Sequence, residues 1–390
     1  MFQQAHISNP VIIAFAGALA MATAMGFGRF FYTPVLPGMM SEVPLSAAEA
    51  GFIAAGNFAG YLMGALLASQ GWAAGRERRL ALAGLVSTAM LLAAMAVANG
   101  IILFIIIRFL AGLASAFAMI FTSAIVLPYG HGRADVQALH FGGVGAGIAL
   151  SSLLAFTINL WAGDAAHGWR WNWASAAFLV GLVVLVITFL LPRPVTGQAV
   201  AHEPPVRWTR PLVLLTASYG LFGFGYVVTA TFLVAIARGA AAGPVVEAGA
   251  WLVTGTAAAC SLFLWQPFAR RLGLVRCYLI CLILAAVGVL GSVLLPPVPG
   301  TLIGGLFLGL TFMTVTAYGL QIARSLAHES PRRALALMTA AFGTGQIIGP
   351  LVAGWATEWS GSFALASVLA AIVLLASFCL ALPVVKQKQV

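Results

Sequence analysis

The apolar positions of this 390-residue chain fall in long unbroken runs, separated by short polar, glycine-bearing or proline-bearing stretches. A helix needs about 20 apolar residues to cross a bilayer. About twelve runs meet that length: residues 11–40, 46–70, 79–98, 101–127, 134–161, 171–191, 211–237, 246–269, 274–295, 299–323, 331–356 and 362–383. None alternates apolar and polar positions as a barrel strand does, so the pattern predicts helices. The expected class is an all-α integral membrane protein with twelve transmembrane helices. The first run is too long for a cleaved leader and many more follow it, so it is read as the first span.

Composition sharpens this. The chain is 62% hydrophobic and 7% charged, whereas soluble domains carry about 25% charged residues. Its natural solvent is therefore lipid. The net charge is +10, and its distribution matters more than its sum. With an even number of spans both ends share a side. Arg76, Arg78, Arg79, Arg133, Arg193, Arg270, Arg332 and Lys386 fall on that side, against Arg170 and Arg238 on the other. The positive-inside rule then predicts a multi-pass protein of the bacterial inner membrane with both termini in the cytoplasm. The basicity reads as topology. No basic soluble face is available for nucleic acid, so no nucleic-acid partner is expected.

The linker "PRPVTGQAVAHEPPVRWTRP", Pro192 to Pro211, divides the chain. It predicts an N-terminal six-helix bundle over residues 1–192, a cytoplasmic linker over 193–210 and a C-terminal bundle over 211–390. The halves echo each other in order. "GFGR" at Gly26–Arg29 finds "GFGY" at Gly223–Tyr226, and "RFLAG" at Arg108–Gly112 finds "GLFLG" at Gly305–Gly309, each 197 positions on. "HFGGVGAGIA" from His140 finds "AFGTGQIIGP" from Ala341. Twelve spans in two parallel repeats describe a major facilitator architecture.

Over nearly its whole length the chain resembles the YbfB/YjiJ-like branch of the major facilitator superfamily. The resemblance rests on "GFGRFFYTPVLPGM", "AGFIAAGNFAGYLMGALLA", "RFLAGLASAF", "HFGGVGAGI", "YGLFGFGYVVTATFLVAIAR" and "MTAAFGTGQIIGPLVAG". It implies the two-bundle fold and a transport role, with the first, fourth, seventh and tenth helices lining a central cavity. It supplies no substrate. The loop after the second span, "GWAAGRERR" from Gly71 to Arg79, keeps the superfamily's arginines but lacks its usual aspartate.

Polar groups inside a membrane are costly and mark function. Arg29 and Arg108 are the deepest charges, and an arginine at mid-membrane costs about 2.5–3.5 kcal/mol on insertion scales. Arg29 lies about ten residues below the end of the first span and Arg108 about seven below the start of the fourth, ~15 and ~10 Å. Both depths fall in the outer half. The nine acids, from Glu42 to Glu358, all lie in loops or at span ends. Arginine stays charged and its planar fork suits a carboxylate. The expected substrate is thus a small organic anion held between the two cations. The competing reading has Arg29 bonding carbonyls freed by Pro34 and Pro37, or snorkelling outward, and Arg108 fixing helix packing.

Thr33 lies four residues after Arg29, on the same face if the helix is regular. Tyr226 holds the repeat position of Arg29. Asn57, Tyr318, Gln321 and Gln346 offer hydrogen bonds to a substrate, or serve as glue between helices. His140 is the candidate proton-coupling residue, set against a packed neutral histidine. Protons are the candidate coupling ion. The four cysteines, Cys260, Cys277, Cys281 and Cys379, read as buried inert thiols, since no histidine or carboxylate nearby completes a metal site. No nucleophile–base, zinc or nucleotide-loop pattern stands out, so neither an enzyme nor a cofactor is expected. The expected protein is a monomer in the lipid bilayer, a secondary transporter working by alternating access. The rival readings are proton-antiport efflux of drugs or amphipathic metabolites, and a non-transporting membrane sensor or scaffold.

Overall fold

A computed structural model describes residues 9–70, 72–129, 133–162, 168–193 and 203–386. Twelve helices long and apolar enough to span a membrane follow one another: α1 Pro10–Glu42, α2 Ala47–Ala68, α3 Glu77–Val97, α4 Ile101–Tyr129, α5 Ala134–Ala162, α6 Gly168–Leu190, α7 Arg210–Gly239, α8 Pro244–Leu272, α9 Leu274–Leu294, α10 Pro297–Leu326, α11 Pro331–Ser360 and α12 Phe363–Ala381. The ends agree with the hydrophobic runs to about one helical turn. The chain is a multi-pass membrane protein. Gly71, within the loop after α2, and residues 194–202 of the linker lie outside the described residues.

Local sequence sets the helix starts. Asn9 caps α1 and Ser46 with Glu49 forms a capping box on α2, which satisfies amide groups that a helix start leaves open. Proline occupies the first turn of α7, α8, α10 and α11, where its missing N–H costs nothing. Gly273 joins α8 to α9 as the single residue between them, with φ +82°, a conformation that favours glycine. At the end of α6, Arg78 donates from Nε to Leu191 O at 3.1 Å and from Nη2 to Thr188 O at 2.6 Å. Arg78, in the first turn of α3 beside the loop that lacks its aspartate, thus caps a neighbouring helix.

The outer surfaces are apolar. Met90, Val97, Ile102, Phe178 and Phe189 are exposed, as lipid-facing side chains should be. α1 and α7 are the most enclosed helices and α6 the least. The two thiols Cys277 and Cys281 are buried as expected, but Cys260 and Cys379 are exposed. The reason is simple: a helix in lipid needs no burial to keep a thiol out of water.

The repeat is visible in the packing. A Cβ at Gly112 would lie 1.9 Å from Asn57 O, and one at Gly309 would lie 2.3 Å from Thr254 O. Gly309 and Thr254 stand 197 residues after Gly112 and Asn57. The same close approach of small residues thus joins α2 to α4 and α8 to α10.

Two faces can be named. The terminal face is where α1 begins and α12 ends; the far face is opposite. The hydrogen bonds from α1–α6 to α7–α12 lie at mid-depth or nearer the far face. They run from Thr33 Oγ1 to Ala230 O at 2.6 Å, from Ala48 N to Glu358 Oε1 at 3.2 Å, from Ser152 Oγ to Ala248 O at 2.8 Å and from Arg29 to Gln346 at 2.7 Å. Toward the terminal face a cavity of about 970 Å³ opens between α5, α8 and α10.

Candidate functional site

Helix α1 is not a regular helix. It runs as α-helix to Met21, widens into a π-helical turn over Ala22–Phe27, and breaks at Gly28–Phe31 before resuming at Tyr32. Gly28 N and Phe30 N reach back five residues, to Thr23 O and Met25 O, while Thr33 N reaches back only three, to Phe30 O. The shift of register leaves Gly28 O and Arg29 O without backbone donors. Buried carbonyls need partners.

Arg108 supplies them. It is 2% exposed, and it donates from Nη1 to Gly28 O at 2.9 Å and from Nη2 to Arg29 O at 2.6 Å. Its guanidinium also lies 5.4 Å from the Tyr32 ring centroid and 5.8 Å from that of Trp173. Asn57 Nδ2 in turn donates to Arg108 O at 2.9 Å, fixing α2 against α4. The two arginines do share one depth, as their positions along the chain predict. They do not form a clamp with an open seat between them. The role of bonding freed carbonyls, weighed in the sequence for Arg29, belongs to Arg108.

Arg29 points across to the other half. Its Nη2 donates to Gln346 Oε1 at 2.7 Å, and Gln346 Nε2 donates to the hydroxyl of Tyr226. The guanidinium carbon lies 4.0 Å from the Tyr61 ring centroid, 4.9 Å from Phe58 and 5.4 Å from Phe30, within cation–π range. Arg29 is 4% exposed and its Nε has no partner. The ion pairs found among the described residues lie near the two faces, and none includes Arg29 or Arg108. The polar side chain that takes its hydrogen bond is therefore a neutral amide.

Beyond Gln346 stands a slab of near-parallel rings. Tyr226 stacks on Phe312 at 5.9 Å and 2°, on Phe342 at 5.6 Å and 7°, and on Phe222 at 5.0 Å and 15°. Phe30 from α1 meets Phe312 edge-on at 6.0 Å. The site thus joins a cation from one half to an aromatic surface from the other. The sequence singled out Arg29, Tyr226 and Gln346 separately, and the fold brings them together. It missed Tyr61, Phe58, Phe312 and Phe342. A phenylalanine in an apolar run carries no signal of what it faces.

Other sites are scattered. Thr33 turns to α7 and bonds Ala230 O, because the break at Gly28–Phe31 separates its direction from that of Arg29. Ala230 is the repeat mate of Thr33, 197 residues on. Tyr318 and Gln321 line the terminal-face cavity with Gln266 and Phe263, apart from the Arg29 cluster. His140 is fully buried, with Nε2 2.9 Å from Ser123 Oγ, and it packs on Gly17. A second cavity, about 520 Å³ near the far face, is lined by Pro34, Glu42, Asn159, Arg238 and Glu247. Arg29 and Gln346 line neither cavity. Among the described residues no cluster of histidine, cysteine or carboxylate could hold a metal ion.

Comparison with known proteins places this geometry. Residues 21–382 match a family described as the uncharacterised MFS-type transporter YbfB. No curated protein matches the chain. Solved structures do. The nucleoside transporter NupG, as its D323A mutant, is 16% identical with a TM-score of 0.72, over 95% of this chain and 98% of that one. A bacterial homolog of the human lysosomal transporter Spinster, inward-facing and occupied, is 13% identical with a TM-score of 0.69, over 95% and 96%. At such identities the likeness is one of fold. The chain belongs to the YbfB family of major facilitator superfamily transporters.

Proposed function

We propose that this member of the major facilitator superfamily is a secondary transporter of a small organic anion, working by alternating access in a bacterial inner membrane. The observation that carries this reading is Arg29. A buried guanidinium is costly unless it is paired, and here its hydrogen-bond partner is neutral. Its fork suits a carboxylate, and the rings around it exclude water. Among the described residues the acids stay at helix ends or between helices, with Glu247 in the first turn of α8 bound to Arg238 at 2.6 Å. This favours an anion over a cationic drug exchanged for protons, since no described acid stands at mid-depth to pair with such a cation.

The charge asymmetry of the loops supports cytoplasmic termini. On that orientation the cavity between α5, α8 and α10 faces the cytoplasm, while the bonds between the halves lie at mid-depth or beyond it. Rocking of one half against the other would then carry the mid-depth site from one side to the other.

The test is thermal melting of the purified protein with panels of carboxylates, organic cations and neutral drugs, followed by flux into liposomes. Carboxylates should raise the melting temperature of the wild type and leave Arg29→Gln unmoved. Stabilisation by organic cations alone would overturn the proposal.

A further inference from the structure

We infer that Gln346 is the protein's own stand-in for the substrate carboxylate, and that its displacement releases α1 from α11. The inference rests on the anion reading of Arg29. A primary amide and a carboxylate have the same planar shape, with two polar atoms on one carbon. The amide of Gln346 lies between Arg29 and Tyr226, with Oε1 on the guanidinium and Nε2 on the hydroxyl. A carboxylate in that seat would accept from both, because a tyrosine hydroxyl donates as readily as it accepts. Gln346 fills the seat geometrically and leaves its charge unanswered.

Its placement adds a second consequence. Gln346 is fully buried on α11, while Arg29 stands just past the π-helical turn of α1. The bond therefore crosses between halves, at mid-depth, below the far-face contacts of Thr33 and Glu358. An arriving carboxylate that takes Arg29 ends that link. The empty carrier keeps its far face closed, and an anion that outcompetes the amide loosens it. A neutral analogue gains nothing over Gln346 and is rejected.

The experiment uses the full chain with Gln346→Ala, and acetate and acetamide as probes, since these match the fragment removed. Acetate should stabilise this variant with an apparent affinity about tenfold or more above that for wild type, where Gln346 competes. Acetamide should act more weakly, and adding Arg29→Gln should abolish the acetate response. Equal acetate affinity in wild type and Gln346→Ala would overturn the stand-in role while leaving the anion reading intact. Acetamide acting as well as acetate, or an acetate response that survives Arg29→Gln, would overturn the anion reading itself. Gln346→Glu gives a second measurement should Gln346→Ala fail to fold: it should melt higher than wild type and ignore acetate. A lower melting temperature with an undiminished acetate response would count against the inference. For the link between halves, spin labels at Ser41 and Val245, exposed at the far ends of α1 and α8, report far-face opening in a background without native cysteines. Gln346→Ala should lengthen that distance, and an unchanged distribution would overturn the release step.

Discussion

Helices α1 and α7 hold equivalent places in the two repeats, and they solve the same task differently. α7 runs unbroken from Arg210 to Gly239 and is neutral through its middle, with Tyr226 stacked among rings. α1 widens, breaks at Gly28 and carries Arg29 at the break. The difference extends to their neighbours. Arg108 on α4 holds the freed carbonyls of α1, while its repeat mate on α10 is Gly305, packed on Ala250 O. The break and the second arginine therefore belong together, since one creates acceptors that the other satisfies. At the depth of this site the cation comes from one half and the stack of parallel rings from the other, so the site exists only where the halves meet.

Removing Arg108 tests that pairing most severely. Arg108→Ala strips two charge-assisted hydrogen bonds from buried carbonyls, a loss of about 3–6 kcal/mol. A drop in melting temperature large enough to threaten folding is expected. Arg108→Lys should recover part of it, because one ammonium cannot reproduce a fork over two carbonyls. A variant Arg108→Ala that melts like wild type would separate the break from the arginine.

The glycines offer the symmetric counterpart. Gly112→Ala and Gly309→Ala each push a methyl into the backbone of a neighbouring helix, at a cost of about 1–3 kcal/mol. The two losses, measured by melting, should be similar. A much larger loss at Gly112 would mean that the contact with Asn57, which also holds Arg108, transmits strain to the broken helix.

Much of this architecture was legible in advance. Hydrophobic run length placed the helices because lipid demands it, and the 197-residue offset exposed the repeat. Arg29, Tyr226 and Gln346 were legible as polar residues in apolar surroundings. Their joining was not, because it depends on a register shift in α1 that leaves no mark in hydropathy. For the same reason regular helical spacing puts Thr33 on the face of Arg29, which the break undoes. Arg108 was read beside Arg29 as a substrate ligand because burial of a charge says that a partner exists, without saying whether it is a ligand or a backbone carbonyl.

Arg29 itself should behave opposite to Arg108. Arg29→Met replaces a buried cation that has only a neutral partner, so stability should hold or rise by about 1–2 kcal/mol. Carboxylate binding should vanish in the same variant. A loss of stability comparable to that of Arg108→Ala would mean that both arginines are structural, and the comparison between them would collapse.

The smallest effect is expected where the two helices touch. Thr33 Oγ1 donates to Ala230 O, its own repeat mate, and nothing returns the bond because alanine has no hydroxyl. Thr33→Val keeps the shape and removes one hydrogen bond of about 1 kcal/mol, present only while the far face is closed. The population should move toward the far-open state by about fivefold, read as a longer distance between labels at Ser41 and Val245. The exchange Thr33→Ala with Ala230→Thr then asks whether the pseudo-axis is real at this point. Pro37 leaves the carbonyl of residue 33 without its usual helical donor, so a hydroxyl at residue 230 finds a ready acceptor there. The exchanged pair should restore the closed distribution, and its failure to do so would show that the break in α1 has moved the two helices off symmetry where they meet.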